Sequence, residues 1–324
     1  MTKLPGTPFR IGLLGTGPWA ERTHAPALAA HPDVEFSGVW GRRPEAAAAL
    51  AAAYGTKAFE DVDALFEASD AVALALPPDV QAPLAARAAA AGCHVILDKP
   101  VTTSAETARA LADAVTGAGV ASIVFCTLRF APPTARWIEE QAAVGGWFLG
   151  EAHWLGALFS PDADSAYAAS PWRREKGGLW DVGPHVLSVF LPLLGDVTSL
   201  SCVAGRADTR HLTLRHASGA SSTATLTLSA PQAASEATLS VHGERGKAVM
   251  PYWDGALDAF QAAVDALLEA ARTGRPHPCD VRFGARLTEI LAAAEAAAKA
   301  GAETGTAPGT EPGPEPGPEA VAVV

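Results

Sequence analysis

Asp181 and His185 stand four residues apart, just behind the glycine pair Gly177-Gly178. On a helical segment that spacing puts a carboxylate and an imidazole on one face. Near neutral pH an imidazole can both take and give a proton, and a neighbouring carboxylate can hold its ring and support its charged form. Pro184 suits an early helical position, and the apolar run 186–194 follows. Alone, the pair reads equally well as a surface salt bridge or a helix cap. Two upstream motifs give it weight: the turn Gly15-Thr16-Gly17-Pro18-Trp19-Ala20 and the tripeptide Asp98-Lys99-Pro100.

The glycine turn follows the apolar run 9–14 and opens a helical pattern. That strand–turn–helix setting is where G-x-G-x-x-G/A means dinucleotide binding. Gly15 permits the tight turn, Gly17 lets backbone approach a pyrophosphate, and Ala20 allows helix to pack closely on strand. The helix N-terminus offers unpaired N–H groups to the phosphates. At the end of the second strand a carboxylate would hold the ribose of NAD. The chain instead reads Gly41-Arg42-Arg43, with no acid until Glu45. Guanidinium groups bind a 2′-phosphate that a carboxylate would repel, which points to NADP, with NAD as the alternative. The same arginines would equally solvate a loop.

Asp98-Lys99-Pro100 ends the strand that starts at His94, at the carboxyl edge where ligands of such sheets bind. An ammonium there can polarise a substrate oxygen or stabilise alkoxide character as a hydride leaves carbon. Arg129, after the strand 122–126, and Trp172, before the glycine pair, are candidate pocket walls. Aromatic faces cover C–H patches of a polyhydroxylated ligand, and cationic donors meet its hydroxyls.

These groups need elements to carry them. Runs 9–14, 34–40, 71–76, 94–97 and 122–126 read as buried strands, and 18–30, 44–54, 80–90 and 105–116 as helices. Such alternation predicts a doubly wound parallel sheet covered on both faces. From about residue 150 the texture changes to strands at 151–158, 199–206, 210–216, 221–229, 237–242 and 247–250. Turns between them predict an open, mostly antiparallel sheet, followed by helices 256–272 and 282–300. The division expected is a dinucleotide-binding unit at 1–127, an α/β substrate unit at 128–300 and a disordered Gly/Pro/Glu-rich tail at 301–324.

Composition narrows the classes. The chain has 324 residues, 49% of them hydrophobic, enough for two cores. Its 24 basic against 35 acidic residues give −11, which argues against nucleic acid or an anionic membrane as partner. No apolar run of transmembrane length is expected, nor an export signal near the N-terminus. Cys93, Cys126, Cys202 and Cys279 show no metal-like spacing. We read them as reduced, buried thiols of a cytoplasmic protein, with no metal site.

In order, G-x-G-x-x-A, Leu76-Pro77-Pro78, Asp98-Lys99-Pro100 and Gly177-Gly178…Asp181-x-Gly-x-His185 resemble the glucose-fructose oxidoreductase/inositol dehydrogenase/rhizopine catabolism (Gfo/Idh/MocA) family. The resemblance spans about residues 8–300 and implies an N-terminal Rossmann domain plus a second α/β domain. It implies nicotinamide-dependent oxidation or reduction at a secondary alcohol or carbonyl of a sugar, inositol or polyol. Lys99 matches the lysine of the family's Glu-Lys-Pro motif, and Asp181 and His185 match its acid/base pair. Asp98 stands where glutamate is commoner, and Gly41 where NAD-using members carry aspartate. Under this reading Gly15, Thr16, Gly17, Pro18, Trp19, Gly41, Arg42, Arg43, Leu76, Pro77, Asp98 and Lys99 hold cofactor. Lys99, Arg129, Trp172, Asp181 and His185 meet a polyhydroxylated substrate. The resemblance also implies a homo-oligomer formed through the second sheet, whose open face, if apolar, needs covering. Two other readings stay open: the same fold acting on a dihydrodiol, imine or tetrapyrrole, and a dinucleotide sensor without turnover.

Overall fold

The strands that carry the motifs form one sheet in the computed structural model, which describes residues 8–304. In chain order the elements are β1 (Phe9–Leu14), α1 (Ala25–Ala30), β2 (Val34–Trp40), α2 (Pro44–Ala53), β3 (Ala58–Phe59), α3 (Val62–Glu67), β4 (Ala71–Leu74), α4 (Pro78–Ala90), β5 (His94–Asp98), α5 (Ala105–Gly117) and β6 (Ser122–Phe125). A π-helical turn, Ala20–His24, leads into α1. All six strands are parallel, in the order β3-β2-β1-β4-β5-β6. That is the doubly wound order, whose switch point lies between β1 and β4. β4 and β6 are buried along their whole length, the signature of strands covered on both faces. Parallel pairing brings the ends of β1, β2, β4, β5 and β6 to one edge, and with them every upstream motif.

The second part adds α6 (Pro132–Val144), β7 (Trp147–Leu155), α7 (Pro171–Asp181), α8 (Gly183–Leu194), β8 (Val197–Ala204), β9 (Arg210–His216), β10 (Ser221–Thr227), β11 (Glu236–Gly243), β12 (Gly246–Val249), α9 (Ala256–Thr273) and α10 (Val281–Thr304). The sheet runs β12-β11-β7-β10-β9-β8, antiparallel except for β7 with β10. Helices α7, α8 and α10 cover one face. On the other, Glu151, His153, His211, Thr213, Arg215 and Thr223 are exposed. The open face is therefore mainly polar rather than the apolar surface expected, with Val203 among its exposed side chains, because period-2 alternation places mostly polar and charged side chains outward.

Helix α9 returns to the first sheet, where Phe260, Val264 and Leu267 pack with Ile11, Leu13, Ile96 and Phe125. Helix α10 lies between α5 and β8, so a single core runs from Leu74 and Val95 through Trp180 and Phe190 to Leu212. It extends to Thr304, past the end expected at 300, and residues 305–324 of the expected tail lie outside the described residues. One apolar stretch, Pro171–Leu194, does reach membrane-spanning length, contrary to expectation. It bends at Gly177 and Val182, and 83% of its most apolar window is buried inside the protein.

The π turn carries His24 into this core, 4.1 Å from the Phe260 ring. Burial lowers its pKa to about 3, despite the Trp19 carbonyl that supports its charged form. The unfolded chain takes up that proton near 6.5, so this contribution to stability is whole above pH 6.5 and is lost as pH falls towards 3. Within that window the slope is about 1.4 kcal/mol per pH unit. His24→Leu should flatten urea midpoints between pH 4.5 and 6.5 relative to the unmutated chain.

Candidate active site

Two adjoining clefts open at the carboxyl edge of the first sheet. Gly15 turns the chain out of β1 with φ +128°, and its N–H donates to the Trp40 carbonyl at 2.9 Å. A Cβ there would collide with the Ala75 carbonyl oxygen, so the position requires glycine. At Gly17 a Cβ would meet nothing within 4 Å, so backbone is bared to a cleft of about 490 Å³. Gly17, Pro18 and Trp19 border it with Arg43, Leu76 and Pro77, and Asp98, Lys99, Trp172 and Arg173 line it too. A bared glycine at a helix start, a cation at the second strand and this volume fit a dinucleotide.

Beside it lies a second cleft of about 290 Å³, sharing Trp19, Asp98, Lys99, Tyr167 and Arg173 with the first. Lys99 projects from the end of β5 and donates from Nζ to the Asp181 carbonyl at 2.6 Å and to Asp181 Oδ1 at 3.1 Å. Arg173 donates from Nε to the same carboxylate oxygen at 3.1 Å. Burial raises the Asp181 pKa, but Lys99 and Arg173 outweigh it and hold the group below the ordinary carboxylate value. Asp98 behaves oppositely. Burial pushes its carboxyl up to about 7 against the pull of Lys99, Arg173 and the Trp19 indole.

His185 is 8% exposed, and its ring lies in a parallel stack on Trp154, centroids 5.0 Å apart. Burial first, and then the Lys99 charge, push its pKa well below the ordinary imidazole value. The ring is therefore neutral at physiological pH. Among the described residues its Nδ1 is buried without a hydrogen-bond partner. The expected orientation of His185 by Asp181 is not what the structure holds. The helix breaks at Val182 between them, and the Asp181 carboxylate turns to Lys99 and Arg173 while Trp154 fixes the imidazole.

Two positioning residues escaped the sequence reading. The Gln81 side chain, buried on α4, donates from Nε2 to the Asp98 carbonyl at 2.9 Å and accepts from the Asp98 N–H at 2.7 Å. It clamps the backbone that presents Lys99. Asp208, in the turn between β8 and β9, accepts from the Gly178 N–H and the Leu228 N–H, each at 2.8 Å, and from Thr227 Oγ1 at 2.7 Å. The same clasp explains Gly178, because a Cβ there would sit 2.7 Å from the Thr227 Cα. Asp208→Ala would leave two N–H groups without their acceptor at about 1–3 kcal/mol each. We expect a fall of several kcal/mol in unfolding free energy from urea titration, with turnover reduced in the residual folded fraction.

The expected residues take different places around the clefts. Gly15, Thr16 and Gly41 build the turn beside the nucleotide cleft; a Gly41 Cβ would lie 2.7 Å from Thr16 Cγ2. Arg42 is exposed, and only Arg43 borders the nucleotide cleft, its guanidinium 3.4 Å from the Thr16 carbonyl. Arg129 donates to the Ser188 carbonyl and lies over the Phe283 ring, so its charge is used in packing α8 rather than in the pocket. Trp172 faces the nucleotide cleft, whereas Trp154, Leu158, Tyr167, Leu228 and Trp253 wall the second one.

A doubly wound sheet joined to an open mixed sheet, with a lysine, aspartate and histidine between them, defines a two-domain dinucleotide-binding class. Comparison with known proteins gives the family. Residues 9–125 match the oxidoreductase family, NAD-binding Rossmann fold, and residues 141–249 match the GFO/IDH/MocA C-terminal domain. The chain belongs to the Gfo/Idh/MocA family. It is 34% identical over 208 residues to a dTDP-3,4-didehydro-2,6-dideoxy-alpha-D-glucose 3-reductase of Streptomyces violaceoruber, a match covering 62% of this chain and 59% of that protein. An inositol 2-dehydrogenase of Rhizobium meliloti is 30% identical over 224 residues, covering 65% of this chain and 66% of its own. Among solved structures, GenD2 from gentamicin A biosynthesis in complex with NAD superposes with a TM-score of 0.79 at 21% identity, over 93% of this chain and 97% of that one. This last likeness shows shared fold.

Proposed function

We propose that the chain is a nicotinamide-dependent oxidoreductase that interconverts a secondary alcohol and a carbonyl on a sugar, inositol or related polyol. The observation that carries this is the convergence of Lys99, Asp181 and His185 in a cleft that shares its wall with the nucleotide cleft. The bound cofactor supplies one thing, a hydride acceptor or donor. Gly17, Pro18, Trp19 and Arg43 would hold it, together with Leu76 and Pro77. The proton and the charge fall to the chain. Neutral His185 takes the hydroxyl proton during oxidation, and the Lys99 ammonium donates to the oxygen as negative charge builds on it. Asp181, kept ionised, holds both Lys99 and Arg173 in place. In reduction the imidazole returns the proton.

We take NADP as the preferred nucleotide, on Arg43 and the missing carboxylate at position 41. Arg43→Ala should weaken NADP binding by about tenfold or more, the worth of a charge-assisted hydrogen bond, and leave NAD within about twofold. Titration of intrinsic fluorescence with each nucleotide reads this. Residues 1–127 serve in this reading as the nucleotide unit and 128–300 as the substrate unit, with α9 returning to brace the first sheet. A homo-oligomer is part of this reading on the family resemblance alone, since a mainly polar open face needs no cover, and four buried free thiols suit the cytoplasm. The test is nicotinamide absorbance over sugars, inositols, polyols and their ketones, with NADP and NAD in parallel. Hydride transfer with a polyhydroxy compound supports the reading. Dinucleotide binding with no transfer to any of them refutes it.

A further inference from the structure

Hydride passes between the two clefts only where their contents touch, so the nicotinamide end of the cofactor belongs at the wall they share. Trp19, Asp98, Lys99, Tyr167 and Arg173 border both clefts and make that wall. Lys99 and Arg173 bring two positive charges to it, and the Asp181 carboxylate to which both donate cancels one. An oxidised nicotinamide is a pyridinium cation, whereas the reduced ring is neutral. The cation would therefore meet one positive charge in excess, and the neutral ring would feel little of it.

Asp98 can cancel the remaining charge. Among the described residues it is the other carboxyl that borders either cleft, and the proposed hydride transfer leaves it idle. Gln81 clamps its backbone, and the Trp19 indole and the Lys99 backbone N–H face its carboxyl. Burial raises that carboxyl to about 7, where a cation arriving alongside decides whether it keeps its proton. The neighbouring groups hold their state across neutral pH. Asp181 stays ionised, its burial outweighed by Lys99 and Arg173. Burial keeps His185 neutral and leaves Tyr167 and Cys126 protonated, and the Arg173 guanidinium is a fixed charge. Resting on the proposed oxidoreductase reading, we propose that Asp98 selects the redox state of the bound cofactor, its carboxylate favouring the oxidised nucleotide and its neutral acid the reduced one.

Binding of the oxidised form is then linked to loss of the Asp98 proton, and binding of the reduced form is not. The ratio of oxidised to reduced dissociation constants should fall as pH rises. One unit between the Asp98 pKa values of the two complexes makes that fall about tenfold between about pH 5.5 and 8.5. Quenching of intrinsic tryptophan fluorescence by NADP+ and NADPH, with the NAD pair in parallel, gives the ratio at each pH. A 2′-phosphate is common to both members of a pair and drops out. Asp98→Asn should flatten the ratio at the value the unmutated chain reaches in acid. Arg173→Met should keep the fall and move its midpoint upward, because the guanidinium lowers the Asp98 pKa. Removing Lys99 raises that pKa in the same way, and the proton taken up offsets the lost charge near neutral pH. A ratio constant with pH in the unmutated chain, or a fall that survives Asp98→Asn, overturns the inference and leaves the oxidoreductase reading standing. Should Asp98→Asn not fold, an unmoved midpoint in Arg173→Met overturns it instead. If neither form of either nucleotide binds, the oxidoreductase reading fails and this inference with it.

Discussion

Lys99→Ala is expected to lower kcat by about 10²–10³ while the dissociation constant for the dinucleotide moves by less than about threefold. The ammonium lies at the end of β5, held by Asp181 at 2.6 and 3.1 Å, and borders both clefts. A charge so placed acts on an oxygen only while that oxygen gains negative character, so its loss is felt in turnover rather than binding. The fold should survive, because Asp181 keeps Arg173 as partner and no buried carboxylate is left alone. Lys99→Arg should not rescue. A planar guanidinium cannot place one compact donor at both the Asp181 carbonyl and its carboxylate. Steady-state kinetics paired with fluorescence titration decide the matter, and an alanine variant that turns over normally removes Lys99 from the mechanism.

The parts legible in the sequence are those whose signal is local. Strands β1, β2, β4, β5 and β6 read clearly because central parallel strands are unbroken apolar runs, and the glycine turn carries its meaning in its own six residues. β3 and α3, two and six residues long, fall below what periodicity can register. Helix α6 opens on Pro132-Pro133 and ends before Gly145-Gly146, and the sequence pattern predicts no element there. Helix α9 was legible as a helix, yet nothing in its pattern says which sheet it covers.

At the site, Lys99, Asp181 and His185 were found by residue type and spacing, but their partners were not. Asp181 chooses Arg173, eight positions earlier, over His185, because the break at Val182 replaces the continuous helix the spacing assumed. Arg173 carried a visible hint, a cation beside Trp172 ahead of the glycine pair. Gln81 and Asp208 carried none. They act 17 and 30 residues from the backbone they hold, where only the fold makes them neighbours. Trp253 reaches the cleft from beyond the second sheet, and it too had no local signal.

His185→Asn should lower the oxidation rate by about 10²–10⁴, the range for losing a positioned base, and the pH profile should show why. In the folded protein the imidazole is held neutral by burial and by the Lys99 charge, so its base form persists below the usual histidine value. The acid limb of kcat/KM for oxidation should therefore fall well under pH 6.5, where an exposed histidine would already be protonated. The direction of its movement in variants is fixed by the charges around it. Lys99 and Arg173 disfavour the imidazolium, so Lys99→Met, in its residual activity, and Arg173→Met should each move the limb upward, the lysine variant further. Asp181 favours the imidazolium, so Asp181→Asn should move it downward. In reduction the imidazolium is the donor, so the same low pKa makes that direction rise as pH falls, by up to tenfold per unit until the pKa is reached. A limb that stays fixed across all three variants would mean that the titrating base is a group other than His185, whatever the loss caused by His185→Asn.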